Sequence, residues 1–179
     1  MAASSSNTNK ADHSKTPPLT LRSSDGKEFE ISRIVAQQSS TIMNLLDLKE
    51  ESNTDVIPIP EVDGSTLEKL IELMSNHTEK SFKYLGVKER KEFYNDFFAN
   101  LKIRDVLNFG LAANYLGVQV IFDEACQKMA DMIKNKSVEW VRKVFEIKND
   151  FTSEEEVDLK KENKWAYEGV DPEDGDDAI

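Results

Sequence analysis

The chain has 179 residues and a mass of 20.4 kDa, which suits one domain or a small domain with an extension. Hydrophobic residues make up 39% and charged residues 32%, and 23 Lys and Arg against 34 Asp and Glu leave a net charge of −11. That balance disfavours nucleic acid as a main partner, because phosphate binding needs a cationic face.

No apolar run approaches the ~20 residues of a membrane span, and no apolar block follows Met1, so neither a membrane nor a secretory leader is expected. The single cysteine, Cys126, allows no internal disulfide and points to the cytosol or nucleus. With two histidines, His13 and His77, a zinc site of nitrogen and sulfur ligands is nearly excluded.

Residues 1–16 hold almost nothing to bury and are expected to be a disordered tail. Leu19-Thr20-Leu21 and Phe29-Glu30-Ile31 alternate apolar and polar around Asp25-Gly26, which predicts a hairpin over 19–31. Ser32 can cap a short helix carrying Ile34 and Val35. Ile42, Leu45 and Leu46 predict a second helix near 40–48. Val56-Ile57-Pro58-Ile59-Pro60 reads as a short edge strand, since its prolines lack amide donors. Ser65-Thr66-Leu67-Glu68 has the form of a capping box, and Leu67, Leu70, Ile71 and Met74 then mark an amphipathic helix.

Residues 75–92 are polar and locally basic and read as a mobile loop. His77 reads as an exposed cation at a helix C-terminus. Asp105 is expected to cap a helix running to Leu116, with Gly117 ending it in the left-handed position. The next helix, about 119–134, carries Phe122, Ala125, Cys126, Met129, Ala130 and Ile133, with Cys126 expected in the core. Ser137 opens another helix with Val138, Val141, Val144 and Phe145.

The last helix differs in kind. Thr152-Ser153-Glu154-Glu155 is a capping box. Glu154 to Glu156 suit the N-terminal end of the helix dipole, and Lys160, Lys161 and Lys164 suit its C-terminal end. Yet Val157 and Leu159 are the only large apolar residues within 153–164, and they lie on different faces. A dozen-residue helix is marginal alone in water, so this segment reads as waiting for a partner surface, mobile until one arrives. From Glu139 to Ile179, 14 acidic side chains stand against 6 basic, a net of −8, and residues 171–179 are expected to be a disordered acidic tail.

No phosphate-cradling glycine motif and no nucleophile elbow is present, and the abundant carboxylates read as solvated. The last three helices offer more apolar stripe than a small α/β half can cover, and Trp140, Phe145, Phe151 and Trp165 add to the excess. Such a surface usually marks a protein interface.

Three stretches carry a family resemblance: Leu21 to Ile31 with Gln38-Ser39-Ser40-Thr41-Ile42; Pro58 to Val62 leading into the Leu67 helix; and Leu111-Ala112-Ala113-Asn114-Tyr115-Leu116, Met132-Ile133-Lys134, Ile147 to Thr152 and Lys161 to Trp165. In this order, over about residues 19–168, the chain resembles the Skp adaptors of SCF ubiquitin ligases. The resemblance implies a BTB/POZ-like α/β fold over 17–134, a small sheet with helices. It also implies two C-terminal helices over 135–170 that form an F-box-binding surface.

It further implies a protein that is not an enzyme, needs no cofactor and works in cytoplasm and nucleus. Its partners would be F-box proteins and a cullin scaffold, with a weak homodimer when no F-box protein is bound. Ile42, Asn114 and Tyr115 match the cullin-facing side. Val106, Leu107, Met129, Ile133, Phe145, Phe151 and Trp165 match the F-box side. The chain departs from the family pattern at Tyr94, where a Trp is usual, at Gly110, where a bulky residue is usual, and at Ser137-Val138, where Thr-Pro is usual. Gly110 and the missing Trp support an alternative: a diverged BTB-like module that self-associates or joins a non-SCF complex without binding cullin.

Overall fold

The structure, a computed structural model, describes residues 17–48 and 56–170; the two tails read as disordered lie outside the described residues. Strands β1 (Leu19–Ser23) and β2 (Glu28–Ile31) form the expected antiparallel hairpin, and β3 (Val56–Ile59) joins β1 in parallel to give the order β2-β1-β3. Gly26 takes a φ of +81° in the hairpin turn, the conformation for which the Asp-Gly pair selects. β3 is an edge strand, which lets it contain Pro58 without losing an interior ladder bond.

Two short helices, α1 (Arg33–Ala36) and α2 (Ser40–Asp47), bridge β2 to β3. Ser32 and Ser39 cap them, accepting from the amides of Val35 and Ile42. Helix α3 (Gly64–Thr78) starts two residues earlier than the Ser65 motif predicts. Its cap is Asp63, whose carboxylate accepts from the Thr66 amide at 3.0 Å and the Thr66 hydroxyl at 2.6 Å. Those bonds hold the Asp63 carboxyl below its usual pKa, the Thr66 hydroxyl contributing most.

The stretch read as a loop is largely helical. After α3 comes one turn, α4 (Lys80–Lys83), then α5 (Val87–Phe97). The polar composition of this stretch conceals a cluster of rings spaced for packing. Phe82 stacks on His77 with centroids 4.4 Å apart, Phe93 and Tyr94 meet at 5.5 Å, and Phe98 meets Phe109 edge-on at 5.5 Å. Tertiary burial of Tyr94 and Phe98 holds a helix that propensity and pattern alone do not announce. Tyr94, at the position where the family usually has Trp, is thus a core residue.

Helix α6 (Ile103–Tyr115) begins at Lys102, not at Asp105. Burial of Ile103 draws the helix start upstream. Asp105 then sits in the first turn and its carboxylate accepts from the Lys102 amide at 3.4 Å. Gly117, at φ +65°, turns the chain into α7 (Gln119–Ile133), and a Cβ there would collide with the Ser40 hydroxyl. Both backbone angle and space therefore demand glycine.

The main core gathers Leu21 and Ile57 from the sheet, Leu67, Leu70 and Leu73 from α3, and Phe109 from α6, all almost fully enclosed. Burying each such side chain contributes roughly 1.5–3 kcal/mol. The remainder of the described chain is α8 (Val138–Val144), α9 (Ser153–Glu162) and a 3-10 turn over Lys164–Tyr167. The molecule is a mixed α/β fold, mostly helical, with a three-stranded sheet.

Candidate protein-interaction site

The carboxyl-terminal region builds a small second core and leaves much apolar surface outside it. Ser137 caps α8, accepting from the Trp140 amide at 3.0 Å. This turns Trp140 and Val144 inward onto Ile103, with Met132, Ile133, Val141 and Phe145 packed half-buried around them. Asn135, at φ +64°, ends α7, and Glu146, at φ +55°, ends α8. Asn tolerates that conformation; Glu is held in it with its carboxylate on Arg104 at 3.0 Å.

Beyond Glu146 the chain offers apolar side chains to solvent. Ile147, Phe151, Val157 and Trp165 are all exposed, Phe151 at 46% and Trp165 at 75%. The expectation that Met129, Ile133, Phe151 and Trp165 escape full enclosure by the chain itself holds: the first two are half-buried and the last two exposed. Val106 does not belong with them. It is fully buried in the main core, so it presents no side-chain surface to a partner, whereas Leu107 beside it is half-exposed.

Helix α9 owes its form to local signals. The Thr152 hydroxyl accepts from the Glu155 amide at 3.3 Å, and the Glu155 carboxylate accepts from the Thr152 amide at 2.8 Å, the reciprocal capping box the sequence predicts. The Thr152 amide, and after it the Thr152 hydroxyl at 2.9 Å, donate to the Glu155 carboxylate and keep it below its usual pKa. None of the side chains in α9 is buried. Its ties to the rest of the molecule include Arg142–Glu156 at 3.0 Å, Asn149–Glu156 at 2.8 Å and Lys160–Glu139 at 3.0 Å.

A second candidate face lies on the far end of α6. Asn114 is exposed and Tyr115 half-buried, its carbonyl accepting from the Thr41 hydroxyl at 2.7 Å. Leu111, one turn earlier, is 59% exposed and, with Tyr115, Asn108 and Thr66, lines an open cleft of about 510 Å³. Ile42, read from the resemblance as a contact on this side, is fully buried in the main core. Its role there is to anchor α2, and its neighbours Ser39 and Thr41 bond the carbonyls of Leu116 and Tyr115. Leu111, Ile147 and Val157 are exposed residues that the sequence reading assigned to neither binding face, because an apolar residue on a helix looks the same whether its own chain or another covers it.

Chemistry elsewhere is sparse. Among the described residues no group of three or more His, Cys, Asp and Glu side chains is placed to hold a metal ion. Cys126 is half-buried on α7, more open than the core position expected of it. His77 is not an exposed cation. Its ring is packed against Phe82, its Nε2 is hydrogen-bonded to the Tyr94 hydroxyl at 2.6 Å, and burial pulls its pKa down to about 4. Burial likewise raises the Tyr94 hydroxyl, followed by the charge of Glu124, so the pair is neutral.

With these surfaces described, comparison with known proteins gives them a context. Residues 17–79 match the Skp1 family tetramerisation domain and residues 120–166 the Skp1 family dimerisation domain. The similar proteins include SKP1-like protein 1 of Oryza sativa subsp. japonica, 35% identical, covering 84% of this chain and 95% of that protein. SKP1-like proteins 12 and 11 of Arabidopsis thaliana are each 37% identical, covering 84% of this chain and 97% of theirs. The chain belongs to the Skp1 family. Its sheet and first helices are the POZ-type part of that family's architecture. The exposed apolar residues Ile147, Phe151, Val157 and Trp165 all fall within the second Skp1 match.

Proposed function

We propose that this Skp1-family chain is a non-catalytic adaptor of an SCF-type E3 ubiquitin ligase, bridging a cullin scaffold to F-box substrate receptors for protein ubiquitination. One observation carries the reading: the region from α7 to the 3-10 turn leaves large apolar side chains, Trp165 above all, uncovered by its own chain. Family membership supports an SCF adaptor role in general. Exposed aromatics of this kind are the residue type that anchors protein-binding hot spots.

In this reading the F-box motif rests on Met129, Ile133, Phe145, Phe151 and Trp165, with Leu107 at the margin and Ile147 and Val157 added to the surface. Cullin binds near Asn114 and Tyr115. Buried Ile42 and Val106 support those faces from within. The adaptor works in cytoplasm and nucleus, has no nucleic-acid or membrane partner, and forms a weak homodimer through the same uncovered surface when no F-box protein is bound.

Binding tests the proposal. The protein is mixed with an F-box motif and, separately, with a cullin N-terminal domain; association with neither at micromolar concentration removes it. Tyr115→Lys should abolish cullin binding while leaving F-box binding intact, because it places a charge on a face remote from Trp165. A stable homodimer in sedimentation, indifferent to F-box peptide, would favour the self-associating BTB-like module instead.

A further inference from the structure

The contact between α8 and α9 is made by charge. None of the side chains in α9 is buried, and neither buried apolar cluster draws a member from it. Across the contact, Glu139 faces Lys160 at 3.0 Å and Arg142 faces Glu156 at 3.0 Å. On α8 the negative side chain comes first and the positive one a turn later; α9 repeats that order and runs the opposite way. Each charge therefore meets its opposite, and either a parallel orientation or a slip of one turn would bring like charges together.

Two further contacts extend this ladder to the exposed aromatics. Asn149 also donates to Glu156 at 2.8 Å, and the Arg142 guanidinium lies 5.9 Å from the Phe151 ring centroid. At the far end Lys160 lies 5.6 Å from the Tyr167 ring, in the 3-10 turn that carries Trp165. The rungs are unequal. The Arg142 and Glu156 side chains are 21% and 30% exposed, whereas Lys160 and Glu139 are about half exposed.

We propose that Glu139, Arg142, Glu156 and Lys160 form an ionic latch that fixes the direction and register of α9, and so presents Phe151 and Trp165, and that ionic strength opens this latch from its outer rung inward. Charge is a fitting means of attachment for a helix that leaves its apolar side chains free for a partner. An exposed ion pair is worth little, is screened by salt and can be remade, whereas a buried apolar contact would have to be torn open. The functional consequence rests on the adaptor reading; the latch itself does not.

The test is amide exchange on the full chain. Raising salt from about 0.01 M to 1 M shortens the screening length from ~30 Å to ~3 Å. Exchange of the 153–167 amides should then accelerate roughly fivefold, while α6 and α7 stay unchanged. Arg142→Ala should produce a similar acceleration at low salt. Lys160→Glu should open the outer rung, and the double swap Glu139→Lys with Lys160→Glu should close it again.

Exchange unmoved by salt and by these variants overturns the latch, as does exchange at the unfolded-chain rate in the unaltered protein at low salt. F-box binding lost in Arg142→Ala without faster exchange overturns the latch too, and leaves the adaptor reading standing. An unaltered protein that binds no F-box motif removes the adaptor reading while exchange still decides the latch.

Discussion

Helices α3 and α9 both begin at a side-chain cap, Asp63 in one and Thr152 in the other, yet they are held by different forces. α3 buries Leu67, Leu70, Leu73 and Met74 against the sheet and α6. α9 buries none of its side chains and keeps its place by a capping box and ion pairs. The first is part of the fold's stability; the second is a presented surface whose stability is local. A folded chain can thus hold one helix in the cooperative core and leave another free to respond to a partner.

The largest effect expected from this contrast is on global unfolding. Leu70→Ala should lower stability by about 2–5 kcal/mol in denaturant titration, because it opens a cavity in the core. Val157→Ala, on exposed α9, should change it by less than about 0.5 kcal/mol. Equal losses would erase the distinction between the two helices.

Next comes binding. Trp165→Ala should weaken F-box association by roughly 30-fold, about 2 kcal/mol, with no change in melting temperature. Calorimetry with an F-box motif and a melting scan of the same variant read the two halves of that statement. A lowered melting temperature would make Trp165 a core residue after all.

A smaller effect concerns acid. His77 has a lower pKa in the fold, about 4, than its ordinary 6.5, so folding favours the neutral ring. Its stabilisation is complete above pH 6.5 and is lost as pH falls from 6.5 through 4. The loss is on the order of 1 kcal/mol once the ring's partial exposure is discounted. Between pH 7 and 5 the melting temperature should therefore fall more in the unaltered protein than in His77→Gln. Identical slopes would show that the His77–Tyr94 contact is already open in solution.

The smallest expected change is a gain. At Gly110 an added Cβ would lie 3.5 Å from the Ala125 methyl and 3.7 Å from the Met129 methyl, both ordinary contacts. Gly110→Ala should accordingly stabilise α6 by about 0.5–1 kcal/mol, seen as a higher unfolding midpoint. A loss instead would mean that α6 and α7 pack too closely there to accept even one methyl group.

Much of this architecture is legible in the residues alone. The Asp25-Gly26 hairpin, the proline-bearing edge strand, the Gly117 helix stop and the Thr152–Glu155 capping box each depend on a few neighbouring residues and on backbone geometry. The poverty of α9 in core residues is equally local, since two apolar side chains on different faces cannot anchor a helix. The candidate site was legible as an excess of aromatic and aliphatic residues toward the carboxyl end, but not residue by residue. Val106 and Leu107 are adjacent and alike in chemistry, and helix rotation alone makes one core and the other surface.

Only the tertiary structure decided the rest. It turned the polar stretch 75–92 into helix by giving Phe82, Tyr94 and Phe98 a place to bury, and it turned His77 from a surface cation into a half-buried neutral ring bonded to Tyr94. It enclosed Ile42, set the start of α6 at Ile103, and brought Glu139 opposite Lys160. The physical reason is the same throughout: caps and turns are written within a few residues, whereas burial and charge pairing depend on segments that meet only when the chain has folded.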